Sequence, residues 1–484
     1  MEIAEVQSAV TADRWIRPGL VAQAGRTVAI VACALAVTLA SGDRSASEQF
    51  GLAILLSTIW LVSIHAGFAA SRTTLAALGS GVAVLRGVVL GLLLTASLDV
   101  WLPSLALGRG ASALLAVSEF VFVLAWELIA TRILPPLQVL VIGPSEACIG
   151  MIGEFRRRRG QQRLSLAGIV DDDANPEAQS SLLLGSTADI PEIIADLRPD
   201  LVALAPGCNR PETFARLLDS AEYGFKVLEL AQLYEHAFGR VPVRDLTKAW
   251  FMGVMHLYQR PYSVFAKRAT DIFGAAIILI VSLPLLPLLA LAVSRTGRPI
   301  LLRQNRVGEH GQVFTMYKFR TMRVDAEASG QAVWAAKNDP RVTETGRIMR
   351  RFRLDELPQL WNIIRGEMSL VGPRPERPEF IDELLDTVPY WERRHLVKPG
   401  ITGWAQVNRG YTADTRGSLD KLSYDLWYIR HRSLTVDLVI CARTLITILR
   451  GEWARPSGTD ELEYDPLVSV LRYTASLEAD PGQV

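Results

Sequence analysis

Hydrophobic and polar positions divide this chain into stretches of different texture. Residues 27–134 are apolar with few charges and resolve into four segments, roughly 27–41, 50–70, 82–102 and 112–131. The first is short for a spanning helix. The others approach the ~20 residues that a bilayer's hydrocarbon core requires. The breaks are polar: Ser41-Gly42-Asp43-Arg44, Ser71-Arg72-Thr73-Thr74 and Leu107-Gly108-Arg109-Gly110. Arg14, Arg17 and Arg26 precede the first segment, Arg72 and Arg86 flank the second and third, and Arg132 with the arginines at 156–159 follows the fourth. The positive-inside rule then places both ends of a four-helix transmembrane region, residues 1–134, in the cytoplasm. The competing reading is a buried helical bundle, although soluble folds rarely stack four such segments in succession.

The texture changes at residues 135–250. Leu137-Gln138-Val139-Leu140-Val141-Ile142-Gly143 has the continuous apolar character of a buried parallel strand. A helical stretch is expected over 147–159, and strand-like runs recur at 166–170, 200–205 and 225–230, with acidic Asp171-Asp172-Asp173 after the second. Alternating strands and helices predict a doubly wound, Rossmann-like α/β sheet. The dinucleotide fingerprint is degenerate. Gly143-Pro144-Ser145-Glu146-Ala147-Cys148 keeps only the first glycine, so a pyrophosphate lacks the close backbone approach that G-x-G-x-x-G provides. A packing or regulatory domain is the expectation, and its surface could serve a homodimer.

Within residues 260–295 the chain is apolar again from Ile272 to Val293, with Pro284 and Pro287 in mid-segment, where each removes a helix hydrogen bond. Both flanks are basic: Lys267 and Arg268 before, Arg295, Arg298, Arg303 and Arg306 after. A spanning helix should show asymmetry. The pattern predicts a re-entrant membrane helix that bends at Pro284 and returns, against the alternative of a fifth, kinked span. Residues 296–450 then read as a basic, aromatic globular domain, and 451–484 as an acidic, polar and mobile tail.

Half of the 484 residues are hydrophobic, yet net charge is only +1, so nothing global indicates a nucleic-acid partner. Cys33, Cys148, Cys208 and Cys441 are scattered and the six histidines form no metal motif. They read as free thiols. The chemistry concentrates in Arg350-Arg351-Phe352-Arg353-Leu354-Asp355-Glu356-Leu357-Pro358-Gln359. An aspartate can attack a phosphoryl group covalently. Mg²⁺ is commonly held by one or two carboxylates with substrate phosphate oxygens. Arg350, Arg374, Lys318 and Arg320 are candidates to neutralise the phosphate oxygens. The bland alternative for the acids is a helix start favoured by the dipole, and for the cations, headgroup attraction at a membrane. On an α-helix adjacent acids point about 100° apart and so serve different tasks.

Residues 265–450 or so resemble the bacterial polyprenyl-phosphate sugar-1-phosphate transferases, the monotopic phosphoglycosyl transferases. The matching stretches include Arg303-Gln304-Asn305-Arg306-Val307-Gly308, Tyr317-Lys318-Phe319-Arg320-Thr321-Met322, Asn338-Asp339-Pro340-Arg341-Val342-Thr343, the acid-pair run, Met368-Ser369-Leu370-Val371-Gly372-Pro373-Arg374-Pro375, Lys398-Pro399-Gly400-Ile401-Thr402-Gly403-Trp404 and Tyr424-Asp425-Leu426-Trp427-Tyr428-Ile429. The N-terminal helices and degenerate Rossmann-like domain resemble the long form of that family. The resemblance implies a UDP-sugar, an undecaprenyl-phosphate acceptor, Mg²⁺, and a catalytic domain on the cytoplasmic face of a bacterial inner membrane. It matches Asp355 to the nucleophile that releases UMP, Glu356 to the acid linked to Mg²⁺, and Arg350 to a cation for the lipid phosphate. Lys318, Arg374 and Asp425 fall in family motifs. Two departures stand out: serine is displaced from the bend, to Ser282 before Leu283-Pro284, and residues 408–410 read Asn-Arg-Gly where many members have Asn-Gly-Arg. Two other functions remain open at this stage. One is a nucleotide-sugar dehydratase or reductase acting through the middle domain, the other a non-enzymatic scaffold for polysaccharide export.

Overall fold

A computed structural model of the protein describes residues 22–40, 45–71, 80–133, 135–143, 164–172, 183–208, 210–243, 246–255, 265–326, 339–408 and 415–450. The expected helix over 147–159, the polar breaks at 41–44 and 72–74, Arg14, Arg17, Cys148, Asp173, Asn338, the departure at 409–410 and the tail from 451 lie outside the described residues. The chain forms two compact units, Met1–Gly239 and Arg240–Val484.

The first unit opens with four helices, α1 (Ala22–Ala40), α2 (Ala46–Ser71), α3 (Ser80–Trp101) and α4 (Arg109–Ile133), each with a stretch long and apolar enough to cross a membrane. The first begins earlier than the pattern suggests and contributes 19 residues. Small residues set how closely α2 and α3 approach. A Cβ on Gly87 would lie 2.6 Å from Ile64 Cα, and one on Gly91 would lie 2.8 Å from the Trp60 ring. Such contacts are the usual means of packing helices where lipid offers no hydrophobic drive. Trp60 Nε1 donates to Thr95 Oγ1 across the same contact (3.1 Å).

Strands β1 (Leu137–Ile142), β2 (Leu164–Val170), β3 (Leu183–Gly185), β4 (Leu201–Leu204) and β5 (Lys226–Glu229) form a parallel sheet in the order β3-β2-β1-β4-β5. Side chains alternate between faces. Val139 and Val141 pack with α7 (Leu230–Phe238), whereas Leu140 and Ile142 meet α5 (Ile190–Leu197) and α6 (Pro211–Asp219). Both faces are therefore covered, which explains the unbroken apolar strands. Gly143 has φ +99°, and a Cβ there would sit 2.0 Å from Cys208 Sγ and 3.2 Å from Ala205 Cβ. Side chains, rather than an open cradle, occupy the space beside this glycine.

The boundary after Gly239 falls before the expected 250. Val241 N–H donates to Ser423 O (3.1 Å), Arg240 pairs with Asp420 (3.0 Å), and Phe251 of α8 (Lys248–Met255) packs on Tyr390. These aromatic and ionic contacts draw residues 240–255 into the second unit.

There α9 (Phe265–Ser282) and α10 (Leu285–Ser294) meet at a 68° bend. Pro284 has no N–H, and Leu283 N–H turns to Ile280 O (3.4 Å). The Leu279 carbonyl so released accepts from Ser282 Oγ (3.2 Å). The displaced serine thus does satisfy a backbone group freed at the bend. Leu289 and Val293 of α10 form a core with Phe319 and Met349, and Leu354 and Leu357 pack against it. Those last two residues flank the acid pair. The hairpin β6 (Leu301–Val307) and β7 (Val313–Phe319) is antiparallel, while β8 (Ser369–Val371) and β9 (Gly400–Thr402) pair in parallel. Helices α11 (Glu344–Arg351), α12 (Leu360–Arg365), α13 (Ile381–Thr387), α14 (Trp404–Asn408), α15 (Thr415–His431) and α16 (Leu434–Arg450) complete the unit.

Gly372 leaves β8 where backbones nearly touch. A Cβ there would lie 2.3 Å from Lys398 O and 2.9 Å from Gly400 N. Backbone cannot swing aside as a side chain can, so Gly372→Ala is expected to destabilise the second unit by about 1–3 kcal/mol, as overpacking does. Thermal unfolding of the purified protein should show a lowered Tm, and an unchanged Tm would contradict this packing.

Candidate active site

The acids do not sit on an α-helix. Arg353 adopts a left-handed backbone (φ 57°, ψ 21°) after α11, and Leu354–Gln359 follows as a 3₁₀ turn containing Pro358. With three residues per turn, Asp355 and Glu356 diverge by about 120°. The divergence is wider than the roughly 100° expected of an α-helix.

Both carboxylates are buried, at 8% and 4% exposure. Their surroundings differ. Glu356 Oε1 accepts from Arg353 Nη1 and from Arg374 Nη1, the latter at 3.0 Å. Burial raises the Glu356 pKa, but the charges and hydrogen bonds of Arg353 and Arg374 overcome it and hold the carboxyl at about 2. Asp355 Oδ1 is buried and has no hydrogen-bond donor among the described residues. Burial first, then the charge of Glu356, raises its pKa, against the opposing charges of Arg353, Lys318 and Arg350. Environment thus separates two neighbouring acids into a fixed anion and an uncommitted carboxyl.

The cations come from three places. Lys318 lies on β7 opposite Leu302. Arg350 lies in the last turn of α11, with Nε on Thr321 Oγ1 (2.9 Å). That helix is capped by Thr343, whose hydroxyl accepts from Gly346 N (3.0 Å). Arg374 follows β8. Arg353 and Arg394 are the residues that sequence reasoning passed over. Arg353 had a signal, since it stands three residues before Glu356 in a run already rich in cations. Arg394 had none.

Arg320 and Asp425 are engaged by other groups of the protein. Arg320 is buried and wrapped in acceptors: Pro299 O (2.8 Å), Met322 O (2.9 Å), Gly297 O (2.6 Å) and Thr296 Oγ1 (3.2 Å). A guanidinium with so many bonds to backbone carbonyls braces the turn after α10. Asp425 is also buried, and its Oδ2 accepts from Arg394 Nη2 (2.8 Å), which also donates to Arg374 O (2.8 Å). Asp425 is thereby linked to the Arg374 backbone through Arg394. Burial pushes its carboxyl up to about 6 despite Arg394.

Among the described residues no cluster of three or more acid, histidine or cysteine side chains gathers. A divalent ion here would rely on one or two carboxylates plus substrate oxygens, as Mg²⁺ commonly does. The open oxygen of Asp355 beside the Glu356 carboxylate fits that donor set.

The bacterial sugar transferase family matches residues 262–451, which contain every residue of this site. Sugar transferase EpsL of Bacillus subtilis, an uncharacterized protein, is 41% identical over 192 residues, 38% of this chain and 88% of its own length. This chain belongs to the bacterial sugar transferase family. Other relatives align over less of themselves. The UDP-N-acetylgalactosamine-undecaprenyl-phosphate N-acetylgalactosaminephosphotransferase of Aeromonas hydrophila is 38% identical over 264 residues, 54% of this chain and 60% of that one. The UDP-glucose:undecaprenyl-phosphate glucose-1-phosphate transferase of Escherichia coli is 42% identical over 205 residues, 41% of this chain and 43% of that one. The chain thus spans about half the length of these two relatives.

An unpaired buried carboxylate costs stability when ionised. A raised pKa in the folded state makes this cost full above the folded value and removes it as pH falls from there toward that of an ordinary aspartate. Asp355→Asn should therefore raise Tm at neutral pH by a few degrees, about 1 kcal/mol or more, with the difference shrinking in acid. A Tm that falls on this substitution would show that Asp355 is well solvated or paired.

Proposed function

We propose that this sugar transferase moves a sugar 1-phosphate from a UDP-sugar to a polyprenyl phosphate, of the undecaprenyl type, and so starts the repeat unit of a surface polysaccharide. The observation that carries the reading is Asp355 Oδ1, buried and unpartnered with the charges of Arg353, Lys318 and Arg350 around it. A carboxylate so placed can attack the β-phosphorus of a UDP-sugar. The bond from that phosphorus to the bridging oxygen breaks and UMP departs with the electron pair. The polyprenyl phosphate oxygen then attacks the aspartyl phosphosugar, frees Asp355 and leaves a lipid-diphospho-sugar. A raised pKa also makes Asp355 a better nucleophile once ionised. Lys318 and Arg350 offset charge on the non-bridging oxygens. Arg374 and Arg353 keep Glu356 ionised beside them. Mg²⁺ held by Glu356 with substrate oxygens would supply further neutralisation.

The α9–α10 bend supports a re-entrant anchor, with the site at headgroup depth on the cytoplasmic face of a bacterial inner membrane, and α1–α4 crossing that membrane. The parallel sheet reads as a degenerate Rossmann-like domain. The filled space at Gly143 argues against the dehydratase or reductase alternative. The curated relatives carry different sugars in their names, and the motifs shared with them do not select one.

Membranes containing the protein, given a panel of radiolabelled UDP-sugars, polyprenyl phosphate and Mg²⁺, should release UMP with at least one sugar. Asp355→Asn should lower turnover by about 10³-fold or more, in the range for a lost nucleophile. No UMP from any sugar, or undiminished turnover in the variant, would sink the proposal. The acid limb of the pH–rate profile should lie above the usual aspartate range, because Asp355 must ionise to attack. Separately, cysteines placed near residues 262 and 300 should react with an impermeant reagent from the same side, whereas opposite-side labelling would establish a true span.

A further inference from the structure

Behind the site lies a buried polar cluster that the proposed chemistry does not use. Lys267, in the first turn of α9, places Nζ 2.7 Å from Asp437 Oδ2, 3.2 Å from Asp271 Oδ1 and 3.1 Å from Val371 O. The Tyr428 hydroxyl is 2.9 Å from both Val371 O and Asp437 Oδ1. Ser369 Oγ lies 2.9 Å from Val371 O and 2.9 Å from Asp271 Oδ1. Three donor groups thus converge on a single carbonyl, that of Val371. Next to Lys267, Arg268 donates through Nη1 to Ile363 O (2.6 Å) and through Nη2 to Ile364 O (2.7 Å). Those are carbonyls of the last turn of α12, where Ile363 O also accepts from Gly366 N–H (3.0 Å).

The two residues therefore grip two different walls. Helix α12 continues directly from the turn that carries Asp355 and Glu356. Val371 begins the segment that ends in Arg374. Along that segment the backbone is held at every residue: Gly372 N–H donates to Thr402 O (2.9 Å), Pro373 O accepts from Gly400 N–H (2.9 Å), and Arg374 O accepts from Arg394. The Arg374 guanidinium reaches Glu356 from this fixed rail. A headgroup anchor needs no buried counter-ions, yet the Lys267 side chain is 18% exposed and meets two carboxylates that are each 3% exposed. Such a cluster brings a large desolvation cost and fixes geometry.

We propose that Asp437 and Tyr428 are positioning residues. Acting through Lys267 and the Val371 carbonyl, they hold Arg374 against Glu356. With Arg268, they make the first turn of the membrane helix pair the point that registers the two walls of the site. The inference rests on the transfer reaction proposed above.

Asp437→Asn and Tyr428→Phe test it, because both leave Lys267 and Arg268, and with them the basic flank of the membrane segment, in place. Each variant should stay in the membrane fraction and lose about ten- to a hundredfold in kcat, the scale of an ångström-sized misplacement, with KM for the UDP-sugar little changed. Combined with Arg374→Lys, the losses should fall well short of multiplying, since both changes remove one interaction. A variant set with wild-type kcat, or losses that multiply in full with Arg374→Lys, would overturn the positioning role. Release of UMP by the wild type in the same membranes separates the two ideas: an active wild type with unimpaired variants overturns the positioning role alone, and an inactive wild type overturns both. If Asp437→Asn fails to accumulate, Tyr428→Phe carries the same test, as it removes one hydroxyl and no charge.

Discussion

Two carboxylates on consecutive residues, both withdrawn from water, can coexist only if their surroundings treat them differently. Like charges so close in a poorly solvated site push each other toward protonation. Here the conflict is resolved by giving Glu356 two guanidiniums and Asp355 none in direct contact. The architecture of the second unit follows from that requirement. A left-handed Arg353 bends the chain so that its own side chain returns to Glu356. The strand segment after β8 delivers Arg374 from the opposite direction, and α11 and β7 bring Arg350 and Lys318 near the acid left bare.

Much of this was legible in the sequence, and the reasons differ by element. Unbroken apolar strands reveal a sheet covered on both faces, and Leu140 and Ile142 indeed pack on one side while Val139 and Val141 pack on the other. Polar breaks between long apolar runs reveal α1–α4. Motif order located the acid pair and most of its cations. What composition cannot convey is where an arginine's donors go. Arg320 and Arg374 look alike in the chain, each embedded in a motif with prolines or aromatics nearby. One is surrounded by five acceptors of its own neighbourhood, the other reaches a carboxylate. That difference arises from tertiary closure, as does the left-handed residue that turns an expected α-helix into a 3₁₀ turn.

The first strand of the first unit's parallel sheet runs directly into a glycine. The strand order reverses direction at β1, where doubly wound proteins usually bind ligands. At that place the thiol of Cys208 and the methyl of Ala205 press against Gly143. The glycine is explained by packing, so its presence at the strand end is no sign of a cofactor.

Lys267 and Arg268 have a consequence for how the anchor sits. Basic residues beside a membrane segment ordinarily act through attraction to anionic headgroups, which weakens as salt rises. These two direct much of their hydrogen bonding to peptide carbonyls and buried acids of their own chain. Their grip is short-ranged. The seating of the bent helices against the rest of the second unit is thereby set by the protein's own groups.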